Sequence, residues 1–211
     1  MHKNTKIITV NDSNVFQSSA EVLIKGGIFI YPTETLYGIG AFATDTNAIN
    51  EIFNVKERAR GKPFILLVKN FEMLEKYFIV PEIVRKNSNK FIEEPITIIF
   101  NQNTELPEEL SAGSKKIGVR ISTNQFVKGL FSYIDIPIVS TSANVSGEEN
   151  TYSSKQIIEL FDNKVDLIID SGNLPHSNGS SIIDITSTPP KLLREGDIIK
   201  ENLKEFLSGD Y

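Results

Sequence analysis

The chain has 211 residues, no cysteine, two histidines and a formal net charge of −5. That length suits one domain, since domains run from roughly 50 to 250 residues, and it can bury a core without disulfide or metal staples. With 40% hydrophobic and 23% charged residues, the composition is globular; it excludes a disordered chain, a coiled coil, a collagen-like fibre, a thiolate nucleophile, a zinc–thiolate cluster and a multi-histidine metal site. The charge balance argues against a highly basic nucleic-acid coat but leaves room for a local basic cleft. Residues Met1 to Lys6 are polar, so no signal peptide is expected, and His2 lies where fraying is the default. No run reaches the length of a membrane span. The expected address is the cytoplasm.

Ile7, Ile8 and Val10 form a short strand candidate, and Asn14 to Lys25 an amphipathic helix that Gly26-Gly27 stops. Ile28 to Tyr31 reads as a buried strand ended by Pro32, with a polar segment after it. Thr46 is the expected cap of a helix built on Ala48, Ile49, Ile52 and Phe53, ending near Lys56. Phe64 to Val68 reads as a strand, and Phe71 to Tyr77 and Pro81 to Lys90 as short helices, the second opened by proline. Strands follow at Ile96 to Phe100, Ile117 to Ile121, Ile138 to Thr141, Leu167 to Asp170, Ser181 to Ile185 and Leu192-Leu193. Ser154 to Phe161 and Glu201 to Leu207 are helix candidates, and Asn101 to Ser114 reads as a loop. Interleaved strands and helices predict an α/β or α+β layered fold in one domain, residues 1–211. The uneven spacing argues against a regular doubly wound sheet or an eightfold barrel.

Four polar segments abut apolar strands: Tyr31 to Gly40, Lys56 to Lys62, Ser140 to Gly147 and Ser171 to Ser181. They are either turns between core strands or the loops of a ligand cleft. Lys56, Arg58, Arg60 and Lys62 put four positive charges in seven residues. That cluster reads either as a solvated helix end or as a phosphate clamp. No P-loop glycine pattern and no dinucleotide fingerprint is present. A serine nucleophile is disfavoured, because His176 is the one internal histidine and there is no G-x-S-x-G elbow. The pairs Glu93-Glu94, Glu108-Glu109 and Glu148-Glu149 are adjacent in sequence and read as solvated surface. Glu34 is the better candidate for organising a site.

The run Tyr31-Pro32-Thr33-Glu34-Thr35-Leu36-Tyr37-Gly38-Ile39-Gly40, the motif Lys56-Glu57-Arg58 with Lys62-Pro63-Phe64, and the run Ser140-Thr141-Ser142-Ala143-Asn144-Val145-Ser146-Gly147 resemble the YrdC/Sua5 family of threonylcarbamoyl-adenylate synthases. Asp170-Ser171-Gly172, Ser180 to Asp184 and Leu193-Arg194-Glu195-Gly196 resemble its closing blocks. Together the blocks span Tyr31 to Gly196 in family order. Three stretches of the chain depart from the family pattern. Glu93-Glu94-Pro95-Ile96-Thr97 stands where P-G-P-x-T is common, Arg120-Ile121-Ser122 where R-x-P is, and Ser171 where glycine is usual. The chain resembles the short form, without the extra C-terminal domain of longer members.

The resemblance implies a twisted mixed sheet with flanking helices and a concave cationic cleft. It implies a reaction in which L-threonine, bicarbonate or CO₂, and ATP give threonylcarbamoyl-AMP and pyrophosphate. The product serves the N6-threonylcarbamoyladenosine modification of tRNA through a downstream transferase, with direct tRNA contact left open. Lys56 and Arg58 are the implied catalytic cations. Thr33, Lys62, Arg120 and Ser180 are implied on the threonine and carbamate side. Lys56, Arg58, Thr97, Ser140, Ser142, Asn144 and Arg194 are implied on the ATP side, with Mg²⁺ carried by the ATP phosphates and no protein-held metal. The alternatives are an RNA- or tRNA-binding module, or a carbamoyl-adenylating domain of the same fold.

Overall fold

A computed structural model describes residues 3–147 and 151–207. His2 and the Glu148-Glu149 pair lie outside the described residues. The first half of the chain runs β1 (Lys6–Thr9), α1 (Val15–Ile24), β2 (Phe29–Pro32), β3 (Tyr37–Gly40), α2 (Thr46–Val55), β4 (Ile65–Val68), α3 (Phe71–Tyr77), α4 (Glu82–Lys86), α5 (Ser88–Glu93) and β5 (Ile96–Asn101). The second half runs β6 (Lys116–Ile121), α6 (Gln125–Leu130), β7 (Ile138–Ser142), α7 (Ser154–Phe161), β8 (Leu167–Asp170), β9 (Ser181–Asp184), β10 (Lys191–Arg194) and α8 (Lys204–Leu207). Among the described residues no helix is long and apolar enough to cross a membrane.

The strands join in the order β1-β8-β2-β3-β7-β4-β6-β5-β9-β10. Pairing is mixed: β8 is parallel to β1 and β2, β4 to β6, and β5 to β9, while β7 runs antiparallel to both β3 and β4. Side chains alternate across a strand, and the register turns this alternation into two faces. Ile183, Ile98, Val119, Leu66 and Val139 are successive cross-strand partners from β9 to β7, and all five are fully buried. Their chain neighbours Ile182, Thr97, Gly118, Ile65 and Ser140 line a cleft on the opposite face.

Several elements differ from expectation. Asp45, not Thr46, caps α2, accepting from the Asn47 and Ala48 amides at 2.9 and 3.0 Å. The helix expected over Pro81 to Lys90 is two helices. They meet at Asn87, whose backbone leaves the helical region and whose side chain donates to the Ile83 carbonyl. Helix α6 was unforeseen; Asn124 caps it, and it buries Phe126, Val127 and Leu130. The closing helix begins as a 3₁₀ turn, Lys200–Leu203, before α8. The expected loop after β5 holds a 3₁₀ turn at Glu108–Leu110.

Strand β3 was also unforeseen, because two of its four residues are glycine, a weak strand former. Its stability comes from β2. Phe29 pairs with Gly40 and Tyr31 with Gly38, and the two rings stack at 4.6 Å between centroids. The rings cover the glycine side of β3, as aromatic residues do opposite strand glycines. A Cβ on Gly40 would stand 2.6 Å from the Phe29 ring and 2.7 Å from the Tyr31 ring. Gly40→Ala is therefore expected to destabilise the protein by about 1–3 kcal/mol through overpacking. Gly61→Ala, where a Cβ meets nothing within 4 Å, should be neutral or stabilising by up to about 1 kcal/mol. Urea unfolding of both variants checks the contrast.

Candidate active site

The cleft on the polar face of the sheet has a volume of about 410 Å³. Gly118 of β6 sits between Ile65 of β4 and Ile99 of β5 in register, and together they form an apolar floor. A Cβ on Gly118 would lie 3.0 Å from Thr97 Cγ2, so glycine keeps this part of the floor low. Ser140, Thr141 and Ser142 of β7 put hydroxyls on one wall, and Thr97 and Ser180 on the other, where the Gly179 backbone completes the lining. Among the described residues no carboxylate belongs to the lining, whereas three arginines do: Arg58, Arg120 and Arg194.

Each arginine is aimed by its backbone. In β10 the register slips between Leu192 and Arg194, which pair with the adjacent residues Ile183 and Ile182. The resulting bulge places the neighbours Leu193 and Arg194 both on the cleft, where strict alternation would separate them. Arg194 donates to the Ser180 carbonyl through Nε (3.0 Å) and Nη2 (2.6 Å), and to Ser180 Oγ at 3.2 Å. Ser180 Oγ in turn shares a proton with Thr97 Oγ1 at 2.7 Å. Arg120 is 5% exposed; its Nη1 donates to Thr35 Oγ1 at 3.2 Å and meets Glu34 at 3.3 Å, while its buried Nε has no hydrogen-bond partner among the described residues. Burial and the Arg120 charge both lower the Arg194 pKa, so these two cations lie close enough to repel. An anion between them relieves that repulsion.

The Lys56-Glu57-Arg58 motif closes α2. The Arg58 amide bonds to the Phe53 carbonyl and the Glu57 amide to that of Asn54, a Schellman ending with Glu57 in the left-handed region at φ 50°. That residue turns the chain, so its two cationic neighbours part. Arg58 goes to the cleft, held over the Phe64 ring and by the Pro63 carbonyl at 2.7 Å. Lys56 goes inward and is 1% exposed, which overturns the reading of a solvated helix end at this position. Its Nζ donates to the carbonyl of Ser142, to the Asn144 carbonyl at 2.7 Å and to Asn144 Oδ1 at 3.1 Å. The Ser146 amide bonds back to the Lys56 carbonyl. Lys56 thus pins the loop after β7 from behind, outside the cleft lining.

The other loops are fixed in similar ways. Thr33 Oγ1 accepts the amides of Thr35 and Leu36 and donates to the Leu36 carbonyl. Its hydrogen-bonding capacity is filled by the turn between β2 and β3. The Tyr37 hydroxyl accepts the Ser171 amide and donates to the Gly172 carbonyl, and burial pushes its pKa up to about 12. The left-handed residue in that loop is Gly172, at φ 69°, and not Ser171, so the serine is tolerated without strain. Asp197 accepts the Ser177 hydroxyl and the Asn178 amide, tying down the segment that leads to Ser180.

The structure therefore brings Thr33, Arg58, Thr97, Arg120, Ser140, Ser142, Ser180 and Arg194 to one cleft. Lys56 and Asn144 stand behind its wall, and Lys62 is exposed outside it, offering its carbonyl to Arg58 Nε. Thr97 and Ser180, expected on opposite substrates, are hydrogen-bonded neighbours. Sequence reasoning missed Gly118, Tyr37, Ser122 and Asp197. Tyr37 was visible only inside its motif and Ser122 only as the departure from R-x-P, and Gly118 and Asp197 carry no local signal.

Burial, then the nearby Arg58 charge, lower the Lys56 pKa from 10.5 to about 7. Between those values the unfolded chain holds the proton that the folded chain has lost, so this residue makes stability rise with pH. Lys56→Met is expected to flatten that rise by at most about 1.4 kcal/mol per pH unit. Urea unfolding of both proteins at neutral and mildly alkaline pH measures it.

The Sua5/YciO/YrdC family, described as "Telomere recombination", matches residues 21–196. A threonylcarbamoyl-AMP synthase of Pyrococcus abyssi is 32% identical over 190 residues, covering 90% of this chain and 56% of that protein. A putative threonylcarbamoyl-AMP synthase of Methanocaldococcus jannaschii is 32% identical over 200 residues, covering 93% of this chain and 94% of that protein. The crystal structure of P. abyssi Sua5 complexed with L-threonine superposes with a TM-score of 0.90 at 30% identity, over 97% of this chain and 62% of that one. The chain spans little more than half the length of the Pyrococcus relative. The family match runs through every block that walls the cleft, and the chain belongs to the Sua5/YciO/YrdC family.

Proposed function

We propose that this protein is an L-threonylcarbamoyladenylate synthase acting on L-threonine, bicarbonate or CO₂, and ATP. The observation that carries the reading is the cleft itself: among the described residues its lining has three arginines, two walls bearing hydroxyls and no carboxylate. Such a site suits two anions and repels none. The relatives named as synthases and the threonine-bound neighbour support the substrate assignment.

In this reading the threonine amine takes up CO₂ as a carbamate and releases a proton. A carbamate oxygen then attacks the α-phosphorus of ATP, and pyrophosphate leaves. The chain's task is to hold two mutually repelling anions in line and to neutralise charge on the phosphoryl oxygens. Arg120 and Ser180 take the amino-acid carboxylate or carbamate. Arg58 and Arg194 face the phosphates, with Ser140 donating a hydrogen bond, while the Ser142 hydroxyl donates to Asn144 Oδ1 at 2.7 Å and braces the loop. Lys56 acts through the Ser142–Asn144 loop, which it holds, and Thr33 through the turn that its hydroxyl closes. Mg²⁺ fits as a passenger on the ATP phosphates, where it offsets their charge, since the lining offers no carboxylate to hold a metal. The adenylate then passes to a transferase that modifies tRNA.

Protein incubated with ATP, L-threonine and labelled bicarbonate should yield labelled threonylcarbamoyl-AMP and pyrophosphate. A folded protein that makes neither with magnesium present refutes the synthase reading. Arg58→Ala is expected to lower kcat/KM by about 10²–10³-fold, the scale of one lost transition-state donor. Arg58→Lys should also be impaired, because the planar fork is lost. Ser142→Ala should cost about tenfold or less, the loss of one neutral hydrogen bond. Steady-state kinetics with ATP and threonine varied separately rank the three.

A further inference from the structure

Glu34 takes no part in the adenylation chemistry, yet its carboxylate meets a cleft arginine. It sits in the turn between β2 and β3, half-buried. One oxygen lies 3.3 Å from Arg120 Nη1, and the other accepts the Ser122 hydroxyl. Ser122 is 3% exposed and also accepts the Asn124 amide at the start of α6. The serine is specific to this chain's departure from the R-x-P pattern, since a proline there has no hydroxyl to give. Glu34 is thus gripped from β6 at two points, two residues apart.

Arg120 is held asymmetrically. Among the described residues its hydrogen-bond and ion-pair contacts fall on Nη1, to Glu34 and to Thr35, and the buried Nε has no hydrogen-bond partner. Among the described residues, Arg58 and Arg194 are held by carbonyl oxygens, and Arg120 is the cleft arginine with a carboxylate partner. A carboxylate so close weakens the net charge of Arg120, a cost for anion binding unless it serves orientation.

We propose that Glu34 is a positioning residue that anchors one end of the Arg120 guanidinium, so that the rest of the fork stays presented to the anion of the amino-acid substrate. The proposal rests on the reading that Arg120 faces the threonine carboxylate or carbamate. Ser122 fixes Glu34, Glu34 fixes Arg120, and the turn carrying Thr33 and Thr35 is tied to the end of β6 by the same link. A planar fork is useful only in the right orientation, and small misplacements of a binding group are costly.

Threonine binding by calorimetry and steady-state kinetics on the full chain test this together. Glu34→Ala should weaken threonine, in both Kd and KM, by about tenfold, with the ATP KM changed less than about twofold. Glu34→Gln should recover most of the loss, since its carbonyl can accept from Arg120 and its amide can donate to Ser122 Oγ. Glu34→Asp keeps the charge but shortens the reach, and should resemble Glu34→Ala; it carries the test if the alanine variant does not fold. Ser122→Ala should weaken threonine about threefold. Unchanged threonine binding in Glu34→Asp, equal damage in the alanine and glutamine variants, or a parallel rise in the ATP KM overturns the proposal. A wild type that binds threonine without forming adenylate refutes the synthase reading alone, and the variant series still decides Glu34. A wild type that does not bind threonine overturns both.

Discussion

Side chains leave a β-strand alternately to either side, and in this protein that rule divides the core from the site. The row from Ile183 to Val139 is fully buried, while the residues one step along the same strands face the cleft. A slip of one residue in any central strand would put serine and arginine into the core and isoleucine into the cleft. Core stability and site geometry are therefore the same constraint. Each apolar side chain of that row, buried in full, favours the correct register by about 1.5–3 kcal/mol. The bulge in β10 breaks the rule and puts Arg194 on the cleft, whereas β2 and β3 keep it, with two rings of β2 covering the two glycines of β3.

Charge is managed by a second device. A cation is oriented with least loss of charge when its partners are carbonyl oxygens rather than carboxylates. Arg58 rests on the Pro63 carbonyl and Arg194 on that of Ser180. Lys56 uses the same kind of partner for a structural end, with its amine beneath the Ser142 and Asn144 carbonyls. Burial lowers the pKa of all three, and for Arg194 the charge of Arg120 adds to it. The repulsion between Arg120 and Arg194 raises the energy of the empty cleft, and a bound anion offsets it.

The K-x-R motif shows how a backbone conformation sorts side chains. A left-handed residue at Glu57 ends α2 and sends the flanking cations in different directions. Lysine, with three donors on a compact head, suits a pocket of carbonyls; arginine, with a planar fork, suits the cleft. Two positive residues that look equivalent in a charge count thus have different tasks.

The sequence by itself determined the alternation of strands and helices, because apolar periodicity reports burial directly. Its motif blocks resemble those of the family, and that resemblance, rather than charge or spacing, pointed to the three cleft arginines. It did not determine β3 or α6, whose local propensities are weak and whose stability lies in Phe29, Tyr31 and a buried helix face. Nor did it separate Lys56 from Arg58, since the direction of a side chain depends on the φ of the residue between them. The tie from Glu34 to Ser122, which also holds Arg120, has its ends 88 positions apart. Only the tertiary structure decided that tie, because the parallel pairing of β4 with β6 and the turn after β2 bring those ends together, and no local spacing encodes it.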